Sequence, residues 1–320
     1  MRRILLLASA ATIVMLGGQT WWAVEQDRRL TIESERRNGL VAVRLLEEHA
    51  KVTLAGAVAS LDAVVKAIDG LKEDRGVDDA AITAVLARAQ SDNKVLKALQ
   101  YVNPAGVAQV SSSDYPAYQT DSDDRTYIPT MLKDHDHVAV VLGTPFKRYY
   151  DSEFVVPMAR NVRGVDGTYL GIISTDISVS YFSGVYTRVA KDSKALVALF
   201  TRDGKIIARS PFDKKYVGLD ISKSAGFVRL EDLTRQEGGV EGSFEDDQFL
   251  DESVTAQRLY VYRTIEGFPI TTVIARDMKD ILLAWRRRAI SRVVFFGLTA
   301  GIIGALTYFS WRSMKEANRS

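Results

Sequence analysis

Two stretches without a charged residue bracket the chain. The first runs from Ile4 to Val24 and the second from Val293 to Phe309. A helix rises 1.5 Å per residue, so runs of about 17–25 residues cross a hydrocarbon layer of about 30 Å. Trp21 and Trp22 stand near the end of the first run, and Trp285 and the Tyr308, Phe309 and Trp311 group bracket the second, where interfacial aromatic belts fall. Beyond the first run the pattern stays helical. Leu40, Val43, Leu54, Ala57, Leu61, Val64, Val65, Ile68 and Leu71 recur at three- and four-residue steps, and no proline occurs before Pro104. This predicts one long helix leaving the membrane and ending near Asp69-Gly70. So long a helix needs a partner along its length, either the packed domain or a second copy. Leu54, Leu61 and Ile68 are one heptad apart, and with the small residues Gly297 and Gly301 below they are the expected seam of a homodimer. A second helix is predicted from Asp78 to Gln90, with Asp78 or Asp79 as cap and Ile82, Val85, Leu86 and Ala89 as its apolar face.

The pattern then changes to short apolar runs with turn residues between them. "YVNPAGVAQVSSS" (101–113) and "LFTRDGKIIARSP" (199–211) each read as strand, tight glycine turn and strand. "SDDRTYIPTMLKD" reads as a loop and short helix, and a buried strand is expected at Val138 to Leu142. "EFVVPMARNV" and "TYLGIISTDI" are strands joined at Val165-Asp166-Gly167, and "SVSYFSGVYTRV" is a helix with Ser180 as its cap. The series restarts with the strand candidates "ALVALF", "KIIARS", "GSFEDD", "QRLYVYRTI" and "ITTVIARDM", and "MKDILLAWRRR" runs as a helix into the second span. The repetition predicts two tandem α+β modules, each an antiparallel sheet flanked by helices. The expected division is a transmembrane helix over 1–24, a long helix over 25–70, a first module over 71–194, a smaller second module over 195–288, a second transmembrane helix over 289–311 and a tail over 312–320.

Composition narrows the chemistry. A net charge of +2 gives no global field for nucleic acid, and none is expected as a partner. The absence of cysteine removes disulfides, thiolate metal sites and cysteine nucleophiles together. No G-x-S-x-G, P-loop, H-E-x-x-H or dinucleotide fingerprint occurs, so no catalytic residue and no cofactor is predicted, and the chain is not read as an enzyme. Arg2 and Arg3 place both termini in the cytoplasm and residues 25–288 outside. Arg286, Arg287 and Arg288 resist that orientation, although long translocated domains largely escape the charge rule and such side chains snorkel to headgroups.

The segments "VVPMARNVRGVDGTYLGIISTDISVSYF", "ALFTRDGKIIARSP" and "YVYRTIEGFPITTVIARDMKDILLAWRRR" resemble a double Cache domain, a pair of PAS-like sensor modules. The ordered set "DDRTY", "DGTYLGI", "DIS-x-x-YF", "RDGKIIARSP" and "GFP" carries the resemblance over residues 30 to 288. The nearest relatives in character are periplasmic sensor regions preceding diguanylate cyclase or histidine kinase outputs. The resemblance implies a two-span protein of the bacterial inner membrane whose distal module binds a small ligand and moves helices across the membrane. No such output follows Trp311, so the chain is expected to be the sensor part of a longer receptor. The alternative is a membrane-anchored periplasmic protein that regulates a separate effector.

In amino-acid-binding relatives an arginine takes the ligand carboxylate, aromatics lie beside it and an aspartate takes the ammonium. Arg125 and Tyr127 of "DDRTY" and Asp176 of "STDIS" match those positions. Ile128 stands where a second aromatic is usual, and the upstream tyrosine is displaced to Tyr118 or Tyr115, so the ligand is an amino acid or another small carboxylate. The other reading of Arg125 and Asp176 is a structural ion pair pinning loop to sheet. His135 and His137 in "KDHDH" read as a solvated turn, and the acidic run from Phe244 to Glu252 lacks the spacing of a calcium loop, so no metal site is predicted.

Overall fold

The computed structural model of the chain describes residues 2–75, 78–112, 127–134, 140–148, 151–164, 166–191, 194–236, 240–246 and 256–317. Helix α1, Arg2–Arg75, is continuous from the first apolar run into the domain. It ends one turn later than the sequence suggests. Its inward stripe explains its length. Val43, Leu46 and Ala50, then Leu54, Ala57, Leu61, Val64 and Ile68, are all buried. Leu54, Leu61 and Ile68 therefore do not face a second copy: they pack on the chain's own sheets. The heptad spacing is real, but the sheet surface uses it. An exposed stripe, with Val41, Leu45 and Val52 among its residues, lies on the other side of the helix.

Helix α2, Asp79–Asp92, starts where Asp78 accepts a hydrogen bond from the Ala80 N–H, and Ile82 and Leu86 bury its inner face. Strands β1 (Leu96–Val102) and β2 (Ala108–Ser111) form the first hairpin. Helix α3, Tyr127–Lys133, follows. Of the predicted strand over 138–142, Val138 and Ala139 lie outside the described residues, and β3 covers Val141–Leu142, which is only half-buried. Then come β4 (Phe146–Lys147), β5 (Phe154–Arg163) and β6 (Tyr169–Ser178). Among the described residues the sheet order is β2-β1-β6-β5-β3, with β4 also on β5 and every pair antiparallel.

Helix α4, Val179–Lys191, joins the modules. Ser180 lies inside it rather than at its cap. The second sheet runs β8-β7-β11-β10-β9, from β7 (Leu196–Thr201), β8 (Ile206–Ser210), β9 (Glu241–Asp246), β10 (Arg258–Thr264) and β11 (Ile270–Asp277). Helix α5, Ala225–Gln236, lies between β8 and β9 and is not apparent in the sequence reading. The repeated hairpins share one requirement: Gly106 and Gly204 have φ +82° and +83°, the left-handed region that a glycine enters without strain. Helix α6, Met278–Ile281, breaks at Leu282, and α7, Leu283–Ala317, carries the second apolar run.

One continuous core runs along α1 under both modules. Leu99, Met158, Ile173 and Ile177 of the first sheet share it with Val197, Leu199, Val261 and Ile274 of the second. Each sheet therefore turns one face to the long helix and keeps the other for its own use. His49 of α1 marks the joint. It stacks on Tyr181 of α4 with centroids 5.4 Å apart and meets Phe182 and Tyr186 edge-on.

Helices α1 and α7 are both long and apolar enough to cross a membrane. Where they enter the domain they are clamped. Asp27 accepts hydrogen bonds from Arg288 (3.0 and 3.2 Å) and from Arg292 (3.0 Å), and the Trp285 Nε1 donates to the Val24 carbonyl at 2.9 Å. Arg288, one of the residues that resisted the topology, is thus held by a carboxylate of the first helix.

Candidate functional site

The site is built on the central strand of the first sheet. Ile173 and Ile177 of β6 point to the long helix, so by strand alternation Ile172, Ser174, Asp176 and Ser178 point to the opposite face. Register fixes their neighbours. Asp176 lies between Ala98 and Pro157, Ser174 between Gln100 and Ala159, and Ile172 between Val102 and Asn161. Asp176, Ser174, Gln100 and Asn161 are all buried, with Asp176 only 2% exposed. The side chains flanking the carboxylate on the sheet are short. A buried polar cluster at the middle of a sheet costs stability unless its groups find partners, and such clusters mark sites.

Arg148 closes one side. It follows β4 and is itself 4% exposed. Its Nη1 lies 4.0 Å from the Asp176 Oδ2, its Nε donates to Asp151 at 3.2 Å, and its Nη2 donates to Glu153 at 3.1 Å. Glu153 also accepts from the Ser178 hydroxyl and faces the Lys97 Nζ at 3.5 Å. The guanidinium therefore ties the 148–153 loop to the end of β6 and sets a cation beside Asp176.

Tyr127 opens α3 and covers the same face. It is buried with Ile128 and Met131 against Val102, Ala159 and Ile172. Tyr127 and Asp176 are thus brought to one side of one sheet. Arg125 lies outside the described residues, as do His135, His137 and residues 247–252 of the acidic run. Arg148, Gln100, Ser174 and Asn161 join this buried cluster, and the sequence reading did not single them out. One signal could have found Ser174: in "YLGIISTDIS" positions 174, 176 and 178 are polar at every second residue and so share one face, with Thr175 the one polar residue between them.

The comparisons with known proteins bear on the fold. Residues 179–276 match the family model of a histidine kinase sensor domain of double Cache type. The fold is a double Cache fold. The extracellular domain of rpHK1S-Z16, named as a histidine kinase, superposes with a TM-score of 0.62 at 20% identity, over 78% of this chain and 96% of that one. The ligand-binding domain of the Campylobacter jejuni chemoreceptor Tlp3, in complex with L-norvaline, gives 0.55 at 16% identity over 78% and 94%. That of the Pseudomonas aeruginosa amino-acid chemoreceptor PctC, in complex with GABA, gives 0.54 at 17% identity over 73% and 96%. The comparison with curated proteins gave no match. As in the sequence reading, the long helix and two tandem antiparallel modules make up the Cache architecture, with an apolar helix at each end.

Proposed function

We propose that the chain is the sensing region of a bacterial transmembrane receptor, with residues 25–288 outside the cytoplasm and a small amine- or carboxylate-bearing ligand in the distal Cache module. The buried Asp176, set in the middle of the distal sheet between short side chains, carries this reading. An ionised carboxylate accepts from every side and so suits an ammonium group, with Tyr127 over the same face and Arg125 as the carboxylate partner. Ligand binding shifts the population between two arrangements of α1 and α7 in proportion to its differential affinity for them. The clamp of Asp27 with Arg288 and Arg292 makes the two helices move together where they leave the membrane.

The test is thermal stabilisation of the full chain by a panel of amino acids and small carboxylates. Stabilisation follows RT ln(1 + [L]/Kd). Asp176→Asn and Arg125→Ala are expected to remove the ligand shift while the chain stays folded. A shift that survives both variants rejects the distal pocket. Topology has its own test: alkaline phosphatase fused after Gly167 should be active, and after Ser320 inactive.

We further infer a homodimer, seated on the exposed stripe of α1 rather than on its heptad leucines. Val41, Leu45 and Val52 are more than half exposed, Ala55 and Ala59 continue the stripe, and Gly297 and Gly301 of α7 face open space. Cysteine at Val52 or Ala59 should cross-link in membranes, and cysteine at Leu54 or Leu61 should not.

A further inference from the structure

We propose that the membrane-proximal module carries a second small-molecule site, for an apolar molecule with one anionic head, in the cavity between α5 and the β7–β11 end of its sheet. The cavity measures about 380 Å³ and is walled by Phe200, Phe227, Leu230, Phe268 and Ile270, with Thr234 and Thr271 among its polar groups. That size and this mix of apolar wall and few polar groups are those of small-molecule pockets, which run from about 300 to 1,000 Å³.

The hollow has a clear cause in the sequence. Over the centre of this sheet Phe244 stacks on Tyr260 with centroids 5.2 Å apart and leans on Tyr262 at 6.2 Å, which fills the face. One step further along, the paired positions of β10 and β11 are Thr264 and Thr271, whose hydroxyls are 3.5 Å apart. The pair Thr264–Thr271 cannot fill the height that Tyr262 fills beside Val273 one step before, so the packed face gives way to a cavity there.

Charge selects the occupant. Arg202, Arg235 and Glu231 line the cavity. Arg235 is paired with Glu231 at 2.7 Å, which leaves Arg202 as the net positive charge among the described residues of the lining. The Arg202 N–H donates to the Pro269 carbonyl at 2.7 Å, so its backbone is fixed at the rim while its side chain is exposed. A guanidinium at the mouth of an aromatic pocket is matched by a carboxylate on an aromatic or aliphatic body.

The position is also informative. Thr201, Arg202 and Pro269 wall a second cavity on their other side, which Leu142, Gly143 and Thr144 of the distal module complete. An occupant that draws in Arg202 therefore acts on the same residues that meet the distal module.

The experiment uses the full chain in lipid nanodiscs, with phenylacetate as probe and phenylacetamide as its neutral counterpart, read by saturation-transfer NMR and by thermal shift. Saturable phenylacetate binding is expected, about tenfold tighter than phenylacetamide. Arg202→Gln, at an exposed position, should weaken phenylacetate about tenfold and leave phenylacetamide unchanged. Thr234→Trp should block both by filling the cavity. Should Thr234→Trp fail to fold, Arg202→Gln and the acid-to-amide ratio decide alone. Asp176→Asn should leave binding intact, which separates this site from the distal one. Absence of saturable binding at millimolar phenylacetate overturns the proposal. So does binding indifferent to Arg202→Gln, or binding lost in Asp176→Asn, which places the probe in the distal pocket.

Discussion

The outward faces of the two sheets have the same topology and opposite contents. On the distal sheet the central positions are Asp176 between Ala98 and Pro157, and Ser174 between Gln100 and Ala159. On the proximal sheet the equivalent places hold Ala275 between Leu196 and Tyr260, and Val273 between Ala198 and Tyr262. In the distal module the central strand presents Asp176 and Ser174, Gln100 and Asn161 of its neighbours add polar groups, and Ala98, Pro157 and Ala159 are short. In the proximal module the central strand is small and apolar, and a neighbour supplies bulk. One arrangement forgoes packing to present charge, and the other closes the face with aromatic rings. The faces turned to α1 show no such division, because both contribute to one apolar core. The contrast between the modules therefore lies on the faces turned away from α1.

The comparison predicts unequal responses to truncation. Tyr262 is 1% exposed and packs tightly enough that a methyl group built on Gly242 would lie 2.6 Å from its hydroxyl oxygen. Tyr262→Ala should cost about 3–5 kcal/mol, as large aromatic truncations in cores do. Ser174→Ala, on the distal strand position that pairs with Ala159, the counterpart of Tyr262, should change stability by less than about 1 kcal/mol. Urea denaturation of the two variants measures both. Equal losses would mean that the distal face is packed for stability after all.

Arg148 sharpens the same contrast. If its main task is to hold the 148–153 loop against β6, Arg148→Met leaves Asp151, Glu153 and Asp176 without their shared cation. The expected loss is about 2–3 kcal/mol, below the roughly 3–5 of a fully buried pair because Asp151 and Glu153 keep some solvent. Thermal melting without ligand reads this. A variant as stable as the parent would assign Arg148 to the ligand instead of the loop.

These residues also show what could be read from the chain alone. The strand series, the two glycine turns and the inward stripe of α1 were legible because period and turn chemistry are local properties. The partner of a stripe is not. Leu54, Leu61 and Ile68 have the spacing of a dimer seam, yet a sheet of the same chain covers them. Helix α5 escaped notice because Phe227, Leu230 and Leu233 are diluted by Arg229, Glu231, Asp232 and Arg235. Arg148 carries no signal in "PFKRYY": only the pairing of β4 with β5 brings it to Asp176. Tyr127 and Asp176 follow from the resemblance, and what puts them on one face is the register of β6 for Asp176 and the packing of α3 on Val102, Ala159 and Ile172 for Tyr127.

Away from the ligand faces, the inner side of the proximal sheet is strutted to α1 by charge. Glu241 accepts from Arg263 and from Arg44 of the helix, and Arg263 also reaches Glu47 at 3.2 Å. The Arg44 hydrogen bond, with help from Arg263, holds the Glu241 carboxyl down at about 2. A carboxyl depressed in the folded state contributes stability above its unfolded value near 4.5, and that contribution is lost as pH falls toward 2. Acid melting of Glu241→Gln should therefore be flatter than that of the parent between those limits, and identical slopes would remove the strut. The effect is modest because Glu241 is partly solvated.

The smallest predicted effect concerns the joint between the two modules. His49 lies on α1 among Tyr181, Phe182 and Tyr186 of α4, the helix that links one sheet to the next. Burial among these rings, with Arg188 nearby, pushes its imidazole below the ordinary value of 6.5. The folded chain then holds His49 neutral where the unfolded chain takes up a proton. Stability from this residue is thus full above pH 6.5 and declines as the pH falls below it toward the lowered folded value. His49→Gln removes that proton and keeps a polar side chain of similar length. The parent should melt at a lower temperature at pH 5.5 than at pH 7.5, and the variant should show a smaller difference. A variant with the parent's full pH dependence would place the acid sensitivity elsewhere. A reduced dependence would show that the contact between α1 and the inter-module helix α4 is a closed aromatic joint, which resists charge much as the proximal face does and the distal face does not.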